Sequence, residues 1–156
     1  NFNTELSIVD SVIKSNSRRH KILTSKIIKI LNNRLKNKKI TFLGVTFKAG
    51  TDDMRESPSL KIIPNLIRKG SLIKYYDPTG SKKEFKELKN TTYCSDIKNA
   101  CKDADLLIIH TEWNEFKQLN FKKLAKKKNL KIFDMRNLYS PNKMKKNNIN
   151  YFGIGR

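Results

Sequence analysis

The chain of 156 residues is long enough for one hydrophobic core and too short for two ordinary α/β domains. Lys and Arg number 34 against 14 Asp and Glu, a net charge of +20, but the lysines are spread among Asn and Ile along the whole chain, so a dedicated nucleic-acid surface is not expected. No apolar run approaches the roughly 20 residues of a membrane span, no signal pattern opens the sequence, and Cys94 and Cys101 match no metal or redox spacing, so a cytoplasmic chain with reduced thiols and no metal is expected.

Residues Thr4 to Leu31 carry apolar side chains at Leu6, Val9, Val12, Ile13, Ile22, Leu23, Ile27, Ile30 and Leu31, a helical period with the polar stretch SNSRRHK across its middle. One long helix or two joined helices fit, and the stripe has to be covered by the following domain, by a domain outside the chain or by a second copy. His20 lies within the polar stretch and is expected to be exposed. Asn32 to Lys39 is a basic connector, which leaves residues 1–37 ahead of an α/β domain over 38–156. The first strand is predicted over Ile40 to Thr46, an apolar run rich in β-branched residues. A polar turn follows, with Lys48, Asp52, Asp53, Arg55 and Glu56 where a plain turn would use Gly, Asn and Ser. Ser57 suits the N-cap and Pro58 the first position of a helix running to about Lys69, stopped by Gly70 and expected to be kinked or shortened by Pro64.

Leu72 to Tyr76 predicts a second strand that ends in the turn sequence Asp77-Pro78-Thr79-Gly80. Ser81 to Lys89 reads as a short amphipathic helix, Tyr93 as part of a short strand, and Ser95 as the cap of a helix to about Lys102. The run Asp105 to His110 is almost wholly apolar, as a central parallel strand covered on both faces must be. Asn120 caps a helix of about Phe121 to Lys127, Lys131 to Asp134 is the next strand, Ser140-Pro141 opens another short helix, and Asn150 to Ile154 is the last strand. Strands alternating with short helices imply right-handed βαβ units. The expected architecture is a Rossmann-like α/β fold, a doubly wound parallel sheet preceded by a long N-terminal helix.

In such sheets ligands sit beyond the carboxyl ends of the strands, where the strand order reverses. Three unusual loops share that edge: Phe47 to Glu56, Thr111-Glu112-Trp113 and Asp134-Met135-Arg136-Asn137. Lys48 and Arg136 can bring two positive charges to one anion, Arg136 with a bidentate grip. The dinucleotide fingerprint GxGxxG is missing, because Gly44 is followed by Val, Thr, Phe, Lys and Ala before a lone Gly50. This loop is expected to bind with side chains, and NAD is not expected on this domain alone. Asp52 and Asp53 beside Arg55 read as carboxylates that hold the loop, with an acid–base pair as the alternative, and Cys94 and Cys101 as structural thiols. His110 reads as a core histidine whose place at the active edge leaves a site role as the alternative, and Trp113 as packing, with stacking on a base as the alternative.

FKAGTDDMRESP behind ITFLGV, followed by YYDP, DLLIIHTEWNEF and DMRN, resembles the C-terminal, UDP-binding domain of the UDP-glucose/GDP-mannose dehydrogenases over Ile40 to Arg156. Leu6 to Leu31 is similar to the end of that family's central helical, dimerising domain. The Thr111-Glu112-Trp113 and Asp134-Met135-Arg136-Asn137 motifs resemble the UDP-glucose 6-dehydrogenase branch, with the GDP-mannose and UDP-N-acetylhexosamine branches as alternatives. The resemblance implies a homodimeric, NAD-dependent enzyme that oxidises the sugar C6 alcohol to a carboxylate through a cysteine-bound thiohemiacetal. It also implies that Phe47, Lys48 and Arg136 contact the UDP-sugar and that Arg55 reaches towards NAD. The family's glycine-rich NAD motif and its GGSC-like cysteine motif are not in this sequence, so this chain by itself is expected to be catalytically silent, without a catalytic residue of its own. Readings of other classes are a basic nucleic-acid-binding α/β module and a dimerisation domain.

Overall fold

The computed structural model describes residues 7–124 and 129–155, with side chains from Arg18 onward. Helix α1 (Ser7–Ile30) is one continuous helix of 24 residues. Among the described residues six strands follow, β1 (Lys39–Leu43), β2 (Leu72–Tyr76), β3 (Thr91–Tyr93), β4 (Leu106–Ile109), β5 (Lys131–Asp134) and β6 (Asn150–Gly153). The helices between them are α2 (Ser59–Arg68), α3 (Lys83–Lys86), α4 (Ile97–Cys101), α5 (Phe121–Leu124) and α6 (Pro141–Lys146). Every strand pair is parallel, in the order β3-β2-β1-β4-β5-β6. The order reverses between β1 and β4, which are neighbours with Phe42 opposite Ile108.

The alternation of side chains along a strand divides the core into two faces. Ile40 and Phe42 of β1, Leu106 and Ile108 of β4 and Phe133 of β5 face α1 and α2, where they meet Leu23, Ile27, Ile30, Ile62, Ile63 and Leu66. Leu43, Leu107, Ile109 and Ile132 face the other way, onto Cys101, Phe116, Phe121 and Met144. All four residues of β4 are buried, which is why that strand reads as an unbroken apolar run. Each fully buried Leu or Ile contributes about 1.5–3 kcal/mol.

The second half of α1 is thus covered by the domain that follows it, against α2 and the sheet. The earlier part of its stripe, from Leu6 to Ile13, lies outside the described side chains. Lys26 donates to the Gly153 carbonyl and sits 5.4 Å over the Phe133 ring. The Lys131 ammonium donates to the Ile30 carbonyl, placing a cation at the negative end of the helix.

Several local expectations change. The Ser57 hydroxyl is donated to the Val45 carbonyl at 2.7 Å, and Pro58, already in αR backbone, takes the cap position before Ser59 with no side-chain cap. Pro64 does not end α2 early; the helix closes at Lys69 and Gly70, where the Gly70 (φ +88) and Ser71 amides donate to Ile67 and Leu66. Asp96, not Ser95, caps α4, accepting from the Asn99 amide at 2.8 Å, and a carboxylate there also favours the positive end of the helix. Helix α3 is shorter than the 81–89 segment predicted, and a 3₁₀ turn, Asn114–Phe116, is added after the fourth strand. Asn120 caps α5 as expected, through the Lys123 amide; the predicted continuation over 125–127 lies outside the described residues.

Candidate functional site

The chain leaves β1 through Gly44, whose φ of +75° and lack of a side chain are both required. A Cβ there would stand 2.6 Å from the Thr111 Cβ. This close approach brings the loops after β1 and β4 together, and the Thr111 hydroxyl locks them by donating to the Thr46 carbonyl at 2.9 Å. Asp77, at the end of β2, holds the same turn from the other side. Its Oδ2 accepts from the Val45 and Thr46 amides at 2.8 and 3.3 Å. Its Oδ1 accepts from the Thr79 amide and hydroxyl and lies 3.5 Å from the buried Lys82 ammonium. The Ser57 and Ser59 hydroxyls both donate to the Val45 carbonyl. The base of the loop is therefore fixed by buried hydrogen bonds, while Phe47 and Lys48 at its crest are exposed.

Arg136 joins three loops. Its Nε donates to the His110 carbonyl at 2.8 Å and its Nη2 to the Phe47 carbonyl at 3.2 Å. The Glu112 carboxylate lies 2.9 Å from the same Nε, an ion pair off the line of the N–H, which is committed to His110. The backbone beneath Arg136 is set by Asp134, which accepts from the Arg136 and Tyr139 amides and from the Tyr151 hydroxyl. Guanidinium has five N–H donors, so two carbonyls leave about three for an anion.

These loops and α1 enclose an open cleft of about 660 Å³. Phe47, Lys48, His110, Glu112 and Arg136 line it, together with Arg19, His20 and Lys61. The structure therefore brings Phe47, Lys48 and Arg136 to one place. Arg55 is not among the lining residues: 89% exposed, it forks onto Asp53 at 2.9 and 3.0 Å. The hydrogen bonds from the Arg55 side chain, then its amide, hold the Asp53 carboxyl down at about 2. Asp53 thus ties the loop, as its place in the sequence predicts.

His110 is 1% exposed, its Nδ1 3.0 Å from the Thr111 hydroxyl and its ring tilted against Phe42. Burial, reinforced by the Arg136 charge, pushes its pKa down to about 3, so the imidazole is neutral. Trp113 packs with the second face of the core. Neither cysteine lines the cleft, and burial raises both thiols, that of Cys101 to about 12.

His20 overturns its expectation: it is half-buried and lines the cleft. Its spacing to Leu23 and Ile27 is helical and was the available signal, masked by its polar neighbours. Asp77 reads in sequence only as the start of a turn, and Gly44 only as a gap in a fingerprint. In the structure Gly44 serves the close approach of the Thr111 side chain.

The profile of the UDP-glucose/GDP-mannose dehydrogenase family, UDP binding domain, matches residues 41–141. The chain is 40% identical over 158 residues to the UDP-glucose 6-dehydrogenase of Rickettsia prowazekii, covering 99% of this chain and 36% of that protein. It is 34% identical to the UDP-glucose 6-dehydrogenase of Rhizobium meliloti, covering 98% and 35%. It therefore spans about a third of the length of these relatives. Among solved structures, UDP-D-ManNAc dehydrogenase from Pyrococcus horikoshii superposes with a TM-score of 0.74 at 24% identity, over 100% of this chain and 35% of that one. GDP-mannose dehydrogenase from Pseudomonas aeruginosa gives 0.68 at 24% identity, over 96% and 34%. At such identities these two establish the fold. With the family profile covering the loops after β1, β4 and β5 that carry Phe47, Lys48, Glu112 and Arg136, the chain belongs to the UDP-glucose/GDP-mannose dehydrogenase family and carries its UDP binding domain.

Proposed function

We propose that the cleft binds the UDP part of a nucleotide sugar, and that the chain is the substrate-nucleotide domain of an NAD-dependent UDP-glucose 6-dehydrogenase. The observation that carries this reading is Arg136, held by the carbonyls of His110 and Phe47 with about three N–H groups left over, on the same cleft as Lys48. A cation held in place on Arg136 and a second on the exposed Lys48 suit a diphosphate, and the exposed Phe47 ring offers an apolar face to the base. In this reading NAD is held outside this chain, Arg55 meets it after leaving Asp53, and the whole enzyme is a cytoplasmic homodimer whose residues 1–37 belong to its central helical domain. Among the described residues no helix is long and apolar enough to cross a membrane.

Calorimetric titration with UDP tests the proposal. Lys48→Ala and Arg136→Ala should each weaken binding by roughly 10- to 100-fold, the worth of one charged hydrogen bond, and UDP should compete better than GDP. Absence of UDP binding by the unmodified chain, or unchanged affinity in both variants, overturns the reading.

A further inference from the structure

One polar atom on the cleft face has no role in holding the loops. His110 follows β4, and by alternation its ring falls on the face of Leu106 and Ile108, the face that carries the cleft, where it meets Phe42. The residue is 1% exposed, and among the described residues nothing pairs with its Nε2. The neighbouring hydrogen bonds determine what that nitrogen can do. The Thr46 carbonyl can only accept, so the Thr111 hydroxyl spends its proton there. The Thr111 oxygen is then an acceptor towards His110 Nδ1, 3.0 Å away, and Nδ1 must carry the imidazole proton. The chain Nδ1–H to Oγ1–H to carbonyl satisfies both contacts, whereas the other tautomer leaves two acceptors facing one proton. His110 Nε2 is consequently a bare lone pair.

We propose that His110 Nε2 is a ligand-recognition site in the cleft, accepting a hydrogen bond from a neutral donor of the nucleotide sugar: a ribose or hexose hydroxyl, or the imide N–H of the base. The proposal rests on the UDP-sugar reading above and adds to it a group that no charge argument finds. A phosphate oxygen is excluded from this spot, since two lone pairs would meet. Arg136, bonded to the carbonyl of the same His110, is the group that in the UDP-sugar reading holds the phosphates. The cleft thus offers cations for the diphosphate next to an acceptor for a donor group, which distinguishes a nucleotide sugar from bare pyrophosphate.

With only two histidines in the chain, long-range 1H–15N spectra, assigned with His20→Gln, read the tautomer directly. Nε2 of His110 should appear unprotonated and should shift towards the hydrogen-bonded range with saturating UDP or UDP-glucose, but not with inorganic pyrophosphate. A shift with UDP identifies a ribose or imide donor; a shift only with UDP-glucose identifies the hexose. In parallel, His110→Asn keeps an amide for Thr111 and deletes the acceptor, and should weaken UDP-glucose binding roughly tenfold while leaving pyrophosphate unaffected. His110→Gln, whose amide oxygen reaches the Nε2 position, should recover most of the loss. A protonated Nε2, or a signal unmoved by nucleotides that do bind, overturns this assignment alone. If no nucleotide binds the unmodified chain, the UDP reading falls and this one with it; should the variants fail to fold, the spectra of the unmodified chain still decide.

Discussion

Replacing Asp77 by Ala should damage both the fold and the cleft, although Asp77 lines neither the cleft nor a chemical step. The substitution removes the acceptor of the Val45 and Thr46 amides, and it leaves the Lys82 ammonium, on a side chain 5% exposed, without its carboxylate. Breaking a buried ion pair by deleting one partner costs about 3–5 kcal/mol, and each orphaned buried amide about 1 kcal/mol or more. Shared relaxation brings the total to about 4–6 kcal/mol, a large part of the ~5–15 kcal/mol that holds a typical domain. Urea unfolding followed by circular dichroism measures it, and UDP titration should show weaker binding, because Val45 and Thr46 lead directly into Phe47 and Lys48. Asp77→Ala with Lys82→Met should regain about 2–3 kcal/mol, since no charge is then left buried. A loss under about 1 kcal/mol for the single variant, or no recovery in the double, refutes the reasoning.

Two further outcomes follow from the buried titratable groups. His110 accepts a proton near 6.5 when unfolded but only near 3 when folded, so between those values the unfolded chain binds more protons and stability falls as pH drops. The slope from this one group is at most about 1.4 kcal/mol per pH unit, and His110→Gln should remove it from the pH profile of the urea midpoint; an unchanged profile refutes a neutral buried imidazole. Because burial raises both thiols, native chain at pH 7 should react slowly with a disulfide reagent at Cys94 and hardly at all at Cys101, with both reacting at once in denaturant. Fast native labelling of Cys101, counted by mass spectrometry, would contradict its packing beneath the sheet.

The central strand was legible because burial on two faces demands an unbroken apolar run, and Asp105 to His110 contains β4; the shorter β5 also matches Lys131 to Asp134 residue for residue. The turns were legible where backbone conformation limits the choice of residue, as at Gly70. Caps were less so. Ser57 and Ser95 have the right chemistry for capping, but a serine hydroxyl goes to whichever acceptor the fold brings near, and for Ser57 that is a carbonyl 12 positions earlier.

The sequence alone determined the alternation of strands and helices, the edge of the sheet on which the loops after β1, β4 and β5 lie, and the charge carried there by Lys48 and Arg136, because periodicity and residue chemistry are local properties. Only the tertiary structure decided that Asp77 anchors the turn before Lys48, that Arg136 clamps the carbonyls of His110 and Phe47, and that His20 joins them from α1. Each of these pairs residues 26 or more positions apart, or places a polar group by what is packed around it. Hydrogen bonds of that kind are formed by the closing of the sheet, and no pattern along the chain announces them.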